Sequence, residues 1–127
     1  MEHFYMNGHL WRVFFVDPNS ELLVDRTNTY RIATTDPVTY CIYLSNALEG
    51  DFLNKVLIHE LGHCTMISFH LLDDIHRMVK RKYWIEAEEW VCNFLADYGF
   101  RIFATAYEIL GDRAWIYVPR ELERLVA

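Results

Sequence analysis

His59 and His63 stand four residues apart, with Glu60 directly after the first, in the run His59-Glu60-Leu61-Gly62-His63. On an α-helix, residues at i and i+4 share a face, so both imidazoles can reach one metal ion. Zinc is the default ion for two neutral imidazoles and a carboxylate. Glu60 can take a proton from a metal-bound water, which makes it the candidate general base. The chemistry implied is hydrolysis by a metal-activated water. It requires that the five residues be helical and that a third ligand come from elsewhere. Two hydrogen-bonded core histidines on one helix would spell the same letters.

A third ligand must therefore lie downstream of His63. The arrangement HExxHxxGxxH needs glycine at position 66 and histidine at position 69. Those positions hold Met66 and Phe69, and His70 is one residue out of step. A carboxylate on a second helix is the other solution. The run from Trp90 to Ala96 is apolar almost all round, as in a helix buried on several sides. Glu86, Glu88 and Glu89 precede it. A buried carboxylate needs a partner, and a metal cation is a good one. Acidic residues also favour helix N-termini through the macrodipole. On the residues alone, all three glutamates stay open.

Glu89 is followed by Cys92, Asn93 and Ala96 at three, four and seven residues. With HELGH upstream, this pattern resembles the gluzincins, and among them the ImmA/IrrE-like zinc metallopeptidases of bacterial and prophage settings. In that group a downstream helix reads E-x-x-A-N-x-F-A, and its first Glu ligates zinc. Here Leu95 replaces the Phe, and small Cys92 stands at the first Ala position. The resemblance covers roughly residues 40–100. It implies His59, His63 and Glu89 as zinc ligands and Glu60 as the catalytic base. Glu86 is the runner-up ligand and Glu88 the third choice. Asn93, one turn from Glu89, would hydrogen-bond a ligand histidine and fix its ring. The implied fold is α+β and zincin-like: a small N-terminal antiparallel sheet, the HExxH helix, then a long glutamate-bearing helix. The implied activity is peptide-bond hydrolysis, with a peptide or protein substrate such as a bacterial regulator. It also implies that the strand just before the motif helix is a sheet edge, to which an extended peptide can add.

The elements that must position these residues fall into a strand-rich part, 1–48, and a helical part, 50–127, of a single domain of 127 residues. Residues 11–16 read as a strand, and Asp17-Pro18-Asn19-Ser20 as a turn leading into a second strand over 21–25, a hairpin. Residues 30–34 are a third candidate, broken by Asp36-Pro37, and 40–45 the clearest strand. From Gly50 the pattern is helical, with Asp51 as N-cap and Leu53, Val56, Leu57, His59, Glu60, His63, Cys64 and Ile67 facing inward. A loop or short helix leads to Lys82. A long helix then spans 83–110 and stops at Gly111, and Pro119 opens a last short helix over 120–125.

Composition narrows the function classes. Apolar residues make up 53% and aromatics 16%, which supports a core and excludes a disordered chain. The net charge of −6 argues against nucleic acid as a partner, and the basic run from His76 to Lys82 reads as a solvated helix end. Three cysteines without C-x-x-C spacing make no disulfide framework and suit a cytoplasmic setting. Neither a signal-peptide pattern nor a membrane-spanning run is present. His70, His76, Tyr98 and Tyr107 are candidates to stabilise an oxyanion, and no motif selects one. His70 and His76 flank Asp73-Asp74, which reads as a wet polar loop before it reads as a second metal site. The alternative function is a catalytically silent zincin-fold binding, inhibitor or structural protein of prophage type.

Overall fold

Asn7-Gly8 sets the first corner of the molecule. Both residues have positive φ, 48° and 80°, the geometry of a two-residue hairpin turn that Asn-Gly favours. It joins β1 (Glu2–Met6) to β2 (His9–Val16) as an antiparallel pair, with Met6 opposite His9. This computed structural model describes residues 2–115. The hairpin expected between 11–16 and 21–25 does not form. Glu21–Leu23 is instead a turn of 3-10 helix, capped by Ser20 Oγ accepting from the Leu22 amide at 3.2 Å. Asp17 Oδ1 likewise accepts from the Asn19 amide at 2.8 Å. Such side-chain bonds satisfy the backbone locally and draw the chain away from a ladder.

β3 (Ala33–Asp36) and β4 (Cys41–Ser45) form the second antiparallel pair. β4 then pairs with β2 in parallel, Val13 opposite Ile42. The sheet order is β1-β2-β4-β3, so the sheet is mixed rather than antiparallel. The expected edge strand over 40–45 is interior, and β3 is the edge. The burial explains it: Ile42 and Leu44 are fully buried and β4 is covered on both faces. The polar Ala-Thr-Thr-Asp of β3 tolerates an open side.

Trp11, Val13, Ala33, Ile42, Leu44, Leu48 and Cys64 form the main core, with Leu53, Val56, Leu57, Leu61 and Ile67 packed against it. The last five lie on α1 (Gly50–Ser68), which carries the HExxH run as helix throughout. Glu49 takes the N-cap position, and Asp51 lies in the first turn, where its charge meets the positive end of the helix dipole. At the far end, the fully buried indole of Trp11 donates from Nε1 to Ser68 Oγ at 2.8 Å. This bond ties the helix to β2.

α2 (Leu72–Met78) and α3 (Trp84–Phe94) follow, sharing a second small core of Met66, Ile75 and Cys92. The long helix expected over 83–110 is interrupted. After α3 comes a π-helical turn, Leu95–Gly99, then α4 (Phe100–Leu110). Gly99 sits in that turn, and glycine weakens a regular helix. Gly111 ends α4 at φ 60°, as expected of a C-cap glycine. The chain forms two compact units, Met1–Asp97 and Tyr98–Ala127. The sheet and α1 to α3 belong to the first, and α4 to the second. The short helix expected after Pro119 lies outside the described residues. Among the described residues, no helix is long and apolar enough to cross a membrane.

The Trp11–Ser68 bond yields a stability test. Ser68→Ala leaves a buried indole N–H without an acceptor, a loss of about 1–3 kcal/mol. Urea unfolding should show a lower midpoint with an unchanged slope, and an unchanged midpoint would remove this bond from the fold's supports.

Candidate metal centre

Two helices supply the centre, and a glycine lets them meet. A Cβ placed on Gly62 of α1 would lie 3.1 Å from Cys92 Sγ and 3.4 Å from Cys92 Cα. The first distance is tighter than ordinary packing and the second is at its lower limit, so α3 approaches α1 at a turn where an added methyl would force its neighbours to give. Gly62 is three residues from His59 and so lies on nearly the same side of the helix, with His63 one position on. The first turns of α3 therefore stand directly across from both imidazoles.

His59 Nε2 and His63 Nε2 lie 3.2 Å apart. The Glu89 carboxylate straddles them, Oε2 at 3.0 Å from His59 Nε2 and Oε1 at 3.3 Å from His63 Nε2. His63 is buried, and its other ring nitrogen, Nδ1, donates to Glu88 Oε1 at 2.8 Å. That bond holds the ring and puts the Nδ1 proton on the side away from His59. Nε2 is thereby aimed at the shared point. Cys92 lies beside the pair. The ligand atoms of His59, His63 and Cys92 all fall within 4.8 Å of one another, close enough to hold a metal ion. Both Glu89 and Cys92 are thus within reach as further donors.

The electrostatics follow from burial and pairing. Burial alone would push His63 towards its neutral form. The sulfur of Cys92 and the carboxylates of Glu88 and Glu89 outweigh it, and the imidazole is pushed up to about 12. Hydrogen bonds with His59 and His63 hold the Glu89 carboxyl well below its usual range. Glu88 is lowered too: its burial acts against charge, and His63 with Arg26 overcomes it. A metal ion entering here replaces protonic charge with its own and releases protons.

Glu60, 6% exposed, lines the same cavity, of about 900 Å³. Its Oε2 accepts from Thr35 Oγ1 on β3 at 2.5 Å. Burial pushes its carboxyl up, against the pull of Thr35, His63 and His59. Thr34, Thr35 and Asp36 of β3 line this cavity as well, so the sheet's open edge runs past the histidines and Glu60.

Other expected residues fall differently. Glu86 is exposed and does not line the cavity. Asn93 reaches the cavity wall but is exposed, and the ring-fixing bond to a histidine expected of it is made to His63 by Glu88. His76 stacks on Trp84 at 3.9 Å between ring centroids, and His70 lies edge-on to His9 at 6.4 Å. Neither lines the cavity. Tyr98 and Tyr107 belong to the second unit. Asp74 pairs with Arg77 at 3.0 Å, and among the described residues no metal-holding group forms around Asp73-Asp74.

Arg26 was not visible from the sequence. Its Nη1 donates to Glu88 Oε2 at 3.0 Å, and its Nη2 lies 3.7 Å from Glu89 Oε1. The loop that presents it is built on Asp25. Oδ1 accepts from the Thr27 amide at 2.8 Å, Thr27 Oγ1 at 2.6 Å and the Thr29 amide at 3.1 Å, and Oδ2 accepts from Arg31 Nε at 2.6 Å. The Asp-x-Thr-x-Thr spacing is a turn signal of the side-chain-to-backbone kind, and it was the one available clue to this loop. Comparisons with family models, with curated proteins and with solved structures return no match for this chain.

The Asp25 loop carries a pH dependence whose sign is set. Slight burial pushes the Asp25 carboxyl up, but hydrogen bonds from Thr27, Arg31 and Thr29 hold it well below its ordinary value of 3.8. A depressed carboxyl contributes stability in full above that ordinary value and loses it as pH falls. Metal-free protein should therefore lose stability on acidification below about pH 4. Asp25→Asn should be less stable at neutral pH and show a shallower acid dependence in thermal unfolding. Parallel curves for the two proteins would refute this role.

Proposed function

We propose that the chain is a small zinc-dependent metallopeptidase of gluzincin type, similar to the ImmA/IrrE-like group, acting in the cytoplasm on a peptide or protein substrate such as a bacterial regulator. One observation carries the reading. Two imidazole nitrogens and a carboxylate converge within 3.0–3.3 Å of one another, beside a buried glutamate on the same helix as both histidines. For ligands about 2.0–2.1 Å from a tetrahedral zinc, the ligand–ligand edge is roughly 3.3–3.4 Å. The donors therefore fit zinc with little movement, and His59, His63 and Glu89 are the ligands it would take.

Bound zinc would acidify a water towards neutrality and polarise a scissile carbonyl. The chain's own residues supply the rest. Glu88 holds the His63 ring through Nδ1, and Arg26 fixes Glu88 and braces Glu89. Thr35 occupies Oε2 of Glu60, leaving Oε1 to accept a proton and pass it to the leaving amine. The upward push on the Glu60 carboxyl brings it closer to the pH at which it must exchange that proton. An extended peptide would add to the open edge of β3 rather than to β4, with its backbone paired beside Glu60. The half-exposed Arg26 guanidinium at the cavity wall offers positive charge where His70 and His76 do not reach.

A second reading, a zinc-holding binding protein without turnover, is favoured by Cys92. A fourth protein donor beside the histidines is a feature of structural rather than catalytic sites.

Metal content and cleavage of quenched fluorescent peptides, measured together, test the reading. Wild type should bind one equivalent of zinc. Glu60→Gln should keep zinc and lose cleavage by on the order of 10²–10⁴-fold. Glu89→Ala should lose most of its zinc. Undiminished cleavage by Glu60→Gln, or zinc-free wild type under metal-replete conditions, would sink the proposal.

A further inference from the structure

Three buried cysteines remain after the mechanism is assigned: Cys41, Cys64 and Cys92. Only one joins the histidines. Cys64 is one residue beyond His63, in the core against the sheet, and Cys41 begins β4. Cys92 lies between α1 and α3, with its sulfur turned onto the Gly62 turn.

We infer that Cys92 Sγ is a fourth protein ligand, so that the resting centre is closed by two imidazoles, one carboxylate and one thiolate. This rests on the zinc reading above. Four observations support it. The ligand atoms of Cys92, His59 and His63 lie within 4.8 Å of one another without any ion to draw them in. For zinc–sulfur and zinc–nitrogen bonds of about 2.3 and 2.0 Å, the tetrahedral sulfur–nitrogen edge is roughly 3.5 Å, so the contraction needed is no more than about 1.3 Å. Cys92 follows Glu89 by three residues on α3, so both project towards the same face of α1. His63 Nδ1 is already committed to Glu88, which leaves Nε2, the nitrogen that faces Glu89, as the ring atom free for an ion. Finally, Cys92 is fully buried and does not line the cavity, so its sulfur would serve an ion from the protein side.

The consequence is regulatory. A hydrolytic zinc centre keeps one position for water, whereas four protein ligands close it. With Cys92 attached the centre is latent, and hydrolysis requires the thiolate to leave. Glu89 has an alternative partner in Arg26, 3.7 Å away, so the carboxylate and the thiolate can share the ion unequally. A small alanine at position 92, as in the pattern the helix resembles, would leave the position open.

Cobalt(II) in place of zinc reads the ligand directly, without a substrate. Cobalt-loaded wild type should show a thiolate-to-metal charge-transfer band in the near ultraviolet. Cys64→Ala should retain it. Cys92→Ala, and Cys92→Ser as a second variant checked for folding by circular dichroism, should bind cobalt with a tetrahedral visible spectrum and lack the band. Their zinc affinity should fall by ~10-fold or more, the least expected when even a ligand's supporting residue is lost. Peptide cleavage by Cys92→Ala should rise above wild type. Cobalt bound with no charge-transfer band, or a band that persists in both Cys92 variants, would overturn the fourth ligand and leave the zinc reading standing. Failure of wild type to bind either ion would instead overturn the zinc reading, and this inference with it.

Discussion

The close approach of α1 and α3 at Gly62 is the contact on which the centre depends. Cys92 Sγ would stand only 3.1 Å from a methyl group placed there, so the helices meet at a distance that no larger side chain permits without displacement. From that approach follows the reach of short carboxylates. Glu88 and Glu89 have two methylenes each, and they touch the imidazoles only because the helix axes are this near.

Bringing these groups together has an electrostatic cost that the arrangement meets internally. Glu88 and His63 are both buried, and either alone would be strongly destabilising in that position. Each is the other's partner, and Arg26 adds a cation to the acidic side. The outcome is a set of charged residues in which every buried member has a hydrogen bond. The N-terminal sheet and the helices are joined by it, because Arg26 comes from the loop after β2 and Thr35 from β3, while Glu60, His63 and Glu88 come from α1 and α3. The site is thus also a tertiary link.

How much was legible in the sequence varies with the kind of signal. The motif helix was readable because its apolar period is long and its donors lie four apart on one face. β4 was readable as a strand from its short run of Ile, Tyr and Leu, yet its place in the sheet was not. An interior strand and an edge strand differ in what flanks them, and that is decided by pairing over long sequence separations: Val13 meets Ile42. The Asp17–Ser20 turn shows the opposite failure. Its residues signal a turn correctly, but a hairpin and a capped 3-10 turn draw on the same side chains. The long helix was read through a π-helical turn at Leu95–Gly99 because one glycine carries little information about helical register.

Within the centre, residue types alone determined the imidazole pair and the glutamate between them. Those depend on spacing along one helix, which the backbone's 3.6-residue period settles locally. Which glutamate faces both imidazole Nε2 atoms and which holds the His63 ring through Nδ1 is settled by the rotation of α3 about its axis. Glu88 and Glu89 are neighbours in sequence and about 100° apart around a helix. Only packing against α1 decides which face each presents. Arg26 and Cys92 belong to the same category. One arrives from a loop more than sixty residues from the Glu88 it binds, and the other looks like filler between helices. Their roles exist only where the folded chain brings Arg26 to Glu88 and Glu89 and Cys92 to His59 and His63.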